Sequence, residues 1–571
     1  MPSNTIMRWV LACLILATMG RCFGQSKSEE QTQKQPSIKV QTTLVMVPAI
    51  VTGRHGEYVE DLGEKDFDVL REGKIQRIGF FRHVVTNAEL MKPGTAQPDG
   101  VTNTLESDNQ RLTIFVVDLL NSSLEEQRIA RQQLLKFLSK LPDVKEPLSL
   151  LALDQTGVRV IHDFTTDPAV LAEALKNVTE QPSVKDRPER NPIEDNYRMV
   201  YGWLLRHSNA AIVAMTQSRL NTLAIAANFK SLGMRDRAEV TLEALREIGE
   251  AFTGIPGRKS MVWATGGFPF EIDDATTSNP GPSDRGYLPT TIDNGTTLRD
   301  RGLLPTYERA WGALNRANIA VYPLDVEELV NSAYVSPMTG QPLPQHVHTN
   351  LSAMNMEKFA EVTGGKFCDR REDAESCFRE AANDSSDYYL IGLYTNTEAA
   401  KPGWKKLSVR VRRADAHVRT RAGYYEGLPQ EEKQQIRDEI ETALNSPFDY
   451  TAVPLGVRWS KTNETSADGK KRIAFMFVLA PGVAALEETD NNHLSLEFAA
   501  LAKDSKGLPS GAFSQTVEGH IAGPMAKDIK SNGVKFPGKI ELASGEYTVI
   551  FVVRDNLSRM IGSVSCAIKV L

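Results

Sequence analysis

The sequence predicts a multi-domain chain of the α/β plus β class. A doubly wound, Rossmann-like sheet is flanked by a β-sandwich, and a second, immunoglobulin-like β-sandwich closes the C-terminus. Three patterns predict this. Over 111–395, apolar strand-like runs alternate with segments of helical period. On both sides of that region, 40–81 and 405–425 alternate with period two. From 448 onward, short alternating strands recur between turns. Alternating β and α supplies the crossovers of a parallel sheet, and period two marks a strand with one buried face. A chain of 571 residues is too long for one core and suits about three domains.

The N-terminus reads as a leader. Arg8 precedes WVLACLILATMG, and small residues stand before Gln25 at the positions a signal peptidase inspects. A secretory signal peptide over 1–24, cut after Gly24, is expected. The apolar run falls short of the ~20 residues of a membrane span, so no transmembrane segment is expected in the mature chain. The protein is therefore expected to be secreted, periplasmic or part of the cell envelope. QSKSEEQTQKQPS, 25–37, reads as a disordered tether.

The formal net charge is −6, and losing Arg8 and Arg21 with the leader makes it two units more acidic. That balance, with no basic stripe carrying interleaved aromatics, argues against nucleic acid and anionic membranes as partners. Of five cysteines, two lie in the leader. Cys368 and Cys377 are near enough in sequence for a disulfide in an oxidising compartment, or stand as two free thiols. Cys566 falls in an alternating strand and reads as a core residue. No CxxC pair occurs, so a zinc or redox motif is not indicated.

VQTTLVMVPAIVTG reads as a strand, and FDVLREGKIQRIGFF as a hairpin turning at Arg71-Glu72-Gly73-Lys74, where glycine takes a positive φ without steric cost. These strands are too few to be stable alone. KKLSVRVRRADAHVRTRAGYY has the same need beyond the α/β region. Residues 38–85 and 400–427 are therefore expected to pair into one sandwich, with 86–109 a polar linker. The α/β domain is placed at 108–398. Its strands are LTIFVVDLL, the pair within PLSLLALDQTGVRVIHDF, MVWATGG, IAVYPLD and DYYLIGLY, separated by helices. The polar, Pro- and Gly-containing stretches 182–218 and 270–300 add length. A helical connector is expected within 428–447, and a C-terminal sandwich over 448–571 from strands such as KRIAFMFVLA and GEYTVIFVVRD.

DLGEKDFDVLREGKIQRIGFF, VVDLLNSSLEEQRIARQQLLKFL, HDFTTDP, LEALREIGEAFTGIPGRKSMVWATGGFP, ALNRANIAVYPLD, FAEVTGGKF and DYYLIGLY…VRTRAGYYEG follow one another in order. Together they resemble the VWFA-related domain proteins typical of Acidobacteria, over roughly 38–427. The resemblance implies a von Willebrand factor A-like sheet in a secreted bacterial protein. It also implies protein ligands, often bound through a metal-ion-dependent adhesion site.

Such a site takes an Asp-x-Ser-x-Ser loop, a Thr from a second loop and an Asp from a third, leaving Mg²⁺ an open position for a ligand carboxylate. Asp118 and Ser122 match the ends of the first loop, but Leu120 replaces its middle Ser. Thr241 matches the second-loop Thr, with Thr222 as competitor. Gly266 stands where the third Asp belongs. One carboxylate with hydroxyls makes a weak Mg²⁺ or Mn²⁺ site through Asp118, Ser122 and Thr241. Asp273 and Asp274, just past the strand, would have to swing in to add a second carboxylate. The alternative is that Asp118 braces the strand end by accepting backbone hydrogen bonds. Either way, the carboxyl ends of the strands are the expected ligand face, with Asp118, Asn121, Ser122, Thr241, Gly266 and Gly267 on it.

No catalytic set is legible. GxSxG, HExxH and GxxxxGK[ST] are all missing from the sequence. PGRKS, 256–260, precedes a strand and reads as a turn with exposed basic residues. His346-Val347-His348 is a weak transition-metal signal, and Asp325 ends another strand. The expected function is thus a non-enzymatic interaction or adhesion-type protein with no cofactor and a degenerate adhesion site. The alternatives are a metal-dependent module around Asp118, and an extracellular enzyme with a site in 182–218 or 270–300.

Overall fold

Four strands of one five-stranded sheet run parallel, in the order Ile319–Asp325, Lys259–Thr265, Leu112–Asp118 and Leu148–Asp154. Gly157–Thr165 adds an antiparallel edge. This computed structural model describes residues 42–85, 100–104, 111–141, 146–183, 235–267, 303–327, 351–368, 374–396, 403–426, 433–465, 469–487 and 492–571. The expected leader, the 25–37 tether, Thr222, Asp273, Asp274, His346 and His348 lie outside them, as do 184–218 and 270–300 of the added polar stretches.

The three central strands are buried along their whole length, which is why LTIFVVD, LSLLALD and KSMVWAT are almost continuously apolar. On one face, Leu112, Ile114 and Val116 pack with Leu242, Leu245, Trp311, Leu314 and Phe359. Those residues come from helix 235–251, helix Leu304–Arg316 and helix Leu351–Thr363. On the other, Phe115 and Val117 meet Leu134, Phe137, Leu171 and Phe378 from helices Leu124–Lys140, Pro168–Lys176 and Ala374–Asp384. Cys368 extends the sheet by a parallel bridge to Leu324 and is joined by a disulfide to Cys377, with Cα atoms 5.8 Å apart. Cys566 is free and half-buried.

Two four-stranded sheets face each other across Val45, Val47, Phe67, Val69, Tyr389, Ile391, Leu407 and Val409. One is ordered His417–Thr420, Thr42–Thr52, Asp387–Asn396, Ile78–Val85. The other is ordered Gly423–Glu426, Gly403–Val411, Phe67–Arg71, Lys74–Gln76. N- and C-flanking segments therefore interleave. The strand DYYLIGLYTN, which sequence reading gives to the α/β sheet, instead lies between the two N-terminal strands. It is apolar on both faces for a local reason. Tyr389, Ile391 and Leu393 fill the sandwich core, while Tyr388 turns outward and its hydroxyl accepts from Arg258 N at 3.2 Å.

The C-terminal strands form two further antiparallel sheets over a core that includes Leu455, Phe475, Phe477, Phe498 and Phe551. One sheet contains Val534–Leu542, Lys471–Leu479 and Leu455–Thr465. The other contains Pro509–His520, His493–Asp504, Gly545–Asp555 and Met560–Val570. The expected linker 86–109 is not wholly a linker. Gly100–Thr102 pairs with 456–458 as an edge strand. The Asn103 amide donates to the carbonyls of Tyr450 and Val453 and accepts from Leu455 N. Helix Lys433–Asn445 covers the outer face of the second sheet through Ile440 and Ala443, and Glu439 pairs with the fully buried Arg554. Residues 42–571 cluster as one compact unit. Among the described residues, no helix is long and apolar enough to cross a membrane.

Candidate functional site

Asp118 ends the central strand, and the chain then turns over the sheet edge into helix Leu124–Lys140. Leu119 and Leu120 do not line the surface. They enter the cores on opposite faces, so the position where a hydroxyl ligand would stand is occupied by core packing. Ser123 caps the helix: its side chain accepts from Glu126 N at 3.3 Å, and the Glu126 carboxylate accepts from Ser123 N at 2.7 Å.

The Asp118 carboxylate is fully buried and heavily solvated by the protein. Oδ1 accepts from Asn121 N at 2.8 Å. Oδ2 accepts from Thr265 Oγ1 at 2.7 Å, Asn121 Nδ2 at 3.0 Å and Trp263 Nε1 at 3.1 Å. Burial pushes its pKa above the ordinary carboxylate range, while these donors pull the other way. Asn121 Nδ2 also donates to Thr241 Oγ1 at 2.9 Å, and Thr241 Oγ1 donates to Arg237 O. Ser122 Oγ accepts from Gly266 N at 2.8 Å.

All six residues expected on the ligand face thus come together, but as a closed polar plug. A cation at Asp118 would have to displace the Asn121 amide, the indole and the Thr265 hydroxyl from a carboxylate whose lone pairs are already used. The third-loop position is closed by shape. A Cβ on Gly266 would lie 2.2 Å from Glu126 Oε2 and 2.8 Å from Asn121 O. Among the described residues, no three His, Cys, Asp or Glu side chains converge on one point.

Sequence reading missed Trp263, Thr265, Glu126 and Arg237. Trp263 and Thr265 alternate along one strand toward Asp118, a pattern visible only once that strand is known to be its neighbour. Arg237, on helix 235–251, contributes positive charge near Asp118, while burial lowers its own pKa. Its Nε and Nη1, and Asn121 Oδ1, are buried without a hydrogen-bond partner.

The turn 256–260 corrects another expectation. Arg258 and Lys259 are buried, not exposed. Arg258 donates to Tyr322 Oη and Gly364 O, and Lys259 Nζ to the carbonyls of Ile255 and Gly257. Burial without a carboxylate lowers the Lys259 pKa to about 7. A separate cavity of about 810 Å³ lies between helix Ala374–Asp384 and the flanking sandwich, beside Tyr58, Glu380, Asp384 and Arg419. There the buried Asp384 accepts from Tyr58 Oη at 2.8 Å, from Tyr322 Oη and from Arg419, which also pairs with Glu380 at 3.2 Å. The chain matches no protein-family model and no curated protein.

Proposed function

We propose that this is a secreted, non-enzymatic interaction protein. Its von Willebrand factor A-like domain engages a protein ligand at the carboxyl ends of its parallel strands without a bound metal, and its C-terminal sandwich is immunoglobulin-like. The observation that carries this reading is the occupation of Asp118. Four donors from three residues hold the carboxylate where an adhesion site would hold a cation. The rim, made of the loop and the strand and helix ends around it, is tied together by hydrogen bonds among Asp118, Asn121, Ser122, Thr241, Thr265 and Gly266. Leu124, exposed at the first turn of its helix, offers the ligand an apolar contact on that rim.

The test is capture of envelope or matrix proteins by the immobilised chain, with EDTA and with millimolar Mg²⁺ or Mn²⁺. Capture that survives EDTA and falls with Leu124→Glu supports the reading. Capture abolished by EDTA, with a Mg²⁺-induced rise in Tm that Asp118→Ala removes, replaces it with the metal-dependent module. Turnover of a substrate by the purified chain, lost on one substitution, makes the protein an enzyme.

A further inference from the structure

We propose that the cavity between helix Ala374–Asp384 and the flanking sandwich binds a neutral saccharide. Strand register and helical spacing fix its two walls. On the sheet side, Thr52 stands directly opposite His417 on one neighbouring segment and bridges Tyr58 on the other. Opposed residues share a face of a sheet, as do residues two apart on a strand, so Arg419 joins them. On the helix side, Ser376, Arg379, Glu380 and Asn383 lie three and four apart and form one stripe. Both sets line the cavity. Its volume, about 810 Å³, falls within the about 300–1,000 Å³ of small-molecule sites, and it sits at a junction between two folded parts, where such sites concentrate.

The charges around the cavity are matched to one another. Lys366 pairs with Glu380 at 2.7 Å, and Arg379 with Glu375 at 2.7 Å. Arg419 pairs with Glu380 at 3.2 Å and with the buried Asp384. An ionic ligand would therefore meet no surplus of opposite charge. What remains open is neutral and works in both directions. The Thr52 hydroxyl, the Asn383 carboxamide and the His417 imidazole make no hydrogen bond to another described residue, and each can both donate and accept. Tyr58 donates to Asp384 at 2.8 Å and keeps its acceptor lone pairs.

A sugar hydroxyl likewise donates and accepts at one atom, and neighbouring hydroxyls on a ring present a donor beside an acceptor, the pairing that a carboxamide such as Asn383 offers. A peptide has one donor and one acceptor per residue and takes its specificity from pockets for side chains. This lining is mostly polar instead, with Tyr58 and Val418 as its larger apolar surfaces. The site is separate from the Asp118 rim and independent of the function proposed for it.

The experiment is calorimetric titration of the full chain with neutral tetrasaccharides of glucose, mannose, galactose and N-acetylglucosamine. A heparin tetrasaccharide and doubly capped tetra-alanine serve as the anionic and peptide probes. Expected is sub-millimolar binding of at least one neutral tetrasaccharide and none of the other two probes. Thr52→Val, Asn383→Ala and His417→Ala should each weaken binding about fivefold, as loss of one hydrogen bond does. Their circular dichroism and urea midpoints should stay at the wild-type values, because these side chains hold no other described residue. Asn383→Trp, at an exposed helical position, should fill the cavity and abolish binding. No binding of any neutral tetrasaccharide at millimolar concentration, binding confined to heparin or the peptide, or equal affinity of the wild type and Asn383→Trp would overturn the proposal.

Discussion

The Asn121 carboxamide donates to Thr241 Oγ1 at 2.9 Å, linking the loop after the central strand to helix 235–251 across 120 residues of sequence. The same amide group donates to Asp118, so it stands between the buried carboxylate and the hydroxyl that an adhesion cation would bridge. Asn121→Ala keeps the backbone N–H on Asp118 but should remove the side-chain amide donor from the buried charge, together with the bond to Thr241, and lower unfolding stability by about 1.5–3 kcal/mol, read by urea denaturation. Asn121→Asp should cost more in EDTA, because two buried carboxylates face each other. Millimolar Mn²⁺ should then recover part of the loss, as a rise in Tm that the wild type does not show.

Arg419 gives a second prediction. It reaches from the flanking sandwich to Asp384, which is 1% exposed and belongs to the α/β part. Arg419→Met leaves that carboxylate without its cation and should destabilise by roughly 3 kcal/mol. Arg419→Met/Asp384→Leu should recover part of the loss, because no buried charge is then orphaned. A double-mutant cycle by chemical denaturation measures the coupling.

Residues 368–377 give a third. The Cys368–Cys377 bridge pins helix Ala374–Asp384 to the sheet edge, with both sulfur-bearing residues in the core. By the loop-entropy relation, a ring this short contributes about 2.5 kcal/mol. Cys368→Ser/Cys377→Ser should lower the denaturation midpoint accordingly, and dithiothreitol should reproduce the shift only after unfolding, since both residues are buried.

Asp449 gives a pH signature. Burial raises its pKa to about 6, against hydrogen bonds from Ser565. A carboxyl that binds its proton more tightly when folded stabilises the fold at acid pH. That contribution is complete below the unfolded pKa near 4 and disappears as pH rises through about 6. Asp449→Asn should flatten the stability profile between those limits and be the more stable protein at pH 7, by about 1–2 kcal/mol once partial exposure is allowed for.

What the sequence disclosed depended on how local each signal was. The parallel strands were legible because burial on both faces leaves an apolar run, as in LSLLALD. The same rule misled at DYYLIGLYTN, where a sandwich strand is apolar outside because Tyr388 abuts the α/β part. Gly100–Thr102 was illegible: three residues carry no periodicity, and only pairing with 456–458 makes them a strand. Arg258 and Lys259 read as surface because their partners are carbonyls, which have no sequence signature. At the candidate site, Asp118, Ser122 and Thr241 follow from the adhesion motif that the resemblance implies, and Asn121 from its place at the carboxyl end of the strand. The closing of the plug by Trp263 and Thr265, and the steric exclusion at Gly266, required the neighbouring strand and the Glu126 carboxylate.

The interleaved strands set a timetable for the nascent chain. Thr42–Thr52 pairs with Asp387–Asn396 and His417–Thr420, and Gly100–Thr102 pairs with 456–458, so each early strand is made hundreds of residues before its partner. Closing loops of that length is slow, and unpaired strands are prone to aggregate while they wait. The α/β sheet, nested between the two halves of the sandwich, can complete first and bring the waiting ends together. A chain leaving the ribosome N-terminus first would therefore gain from a holding chaperone until residue 420 has emerged, and 42–85 is the stretch such a chaperone would have to shield.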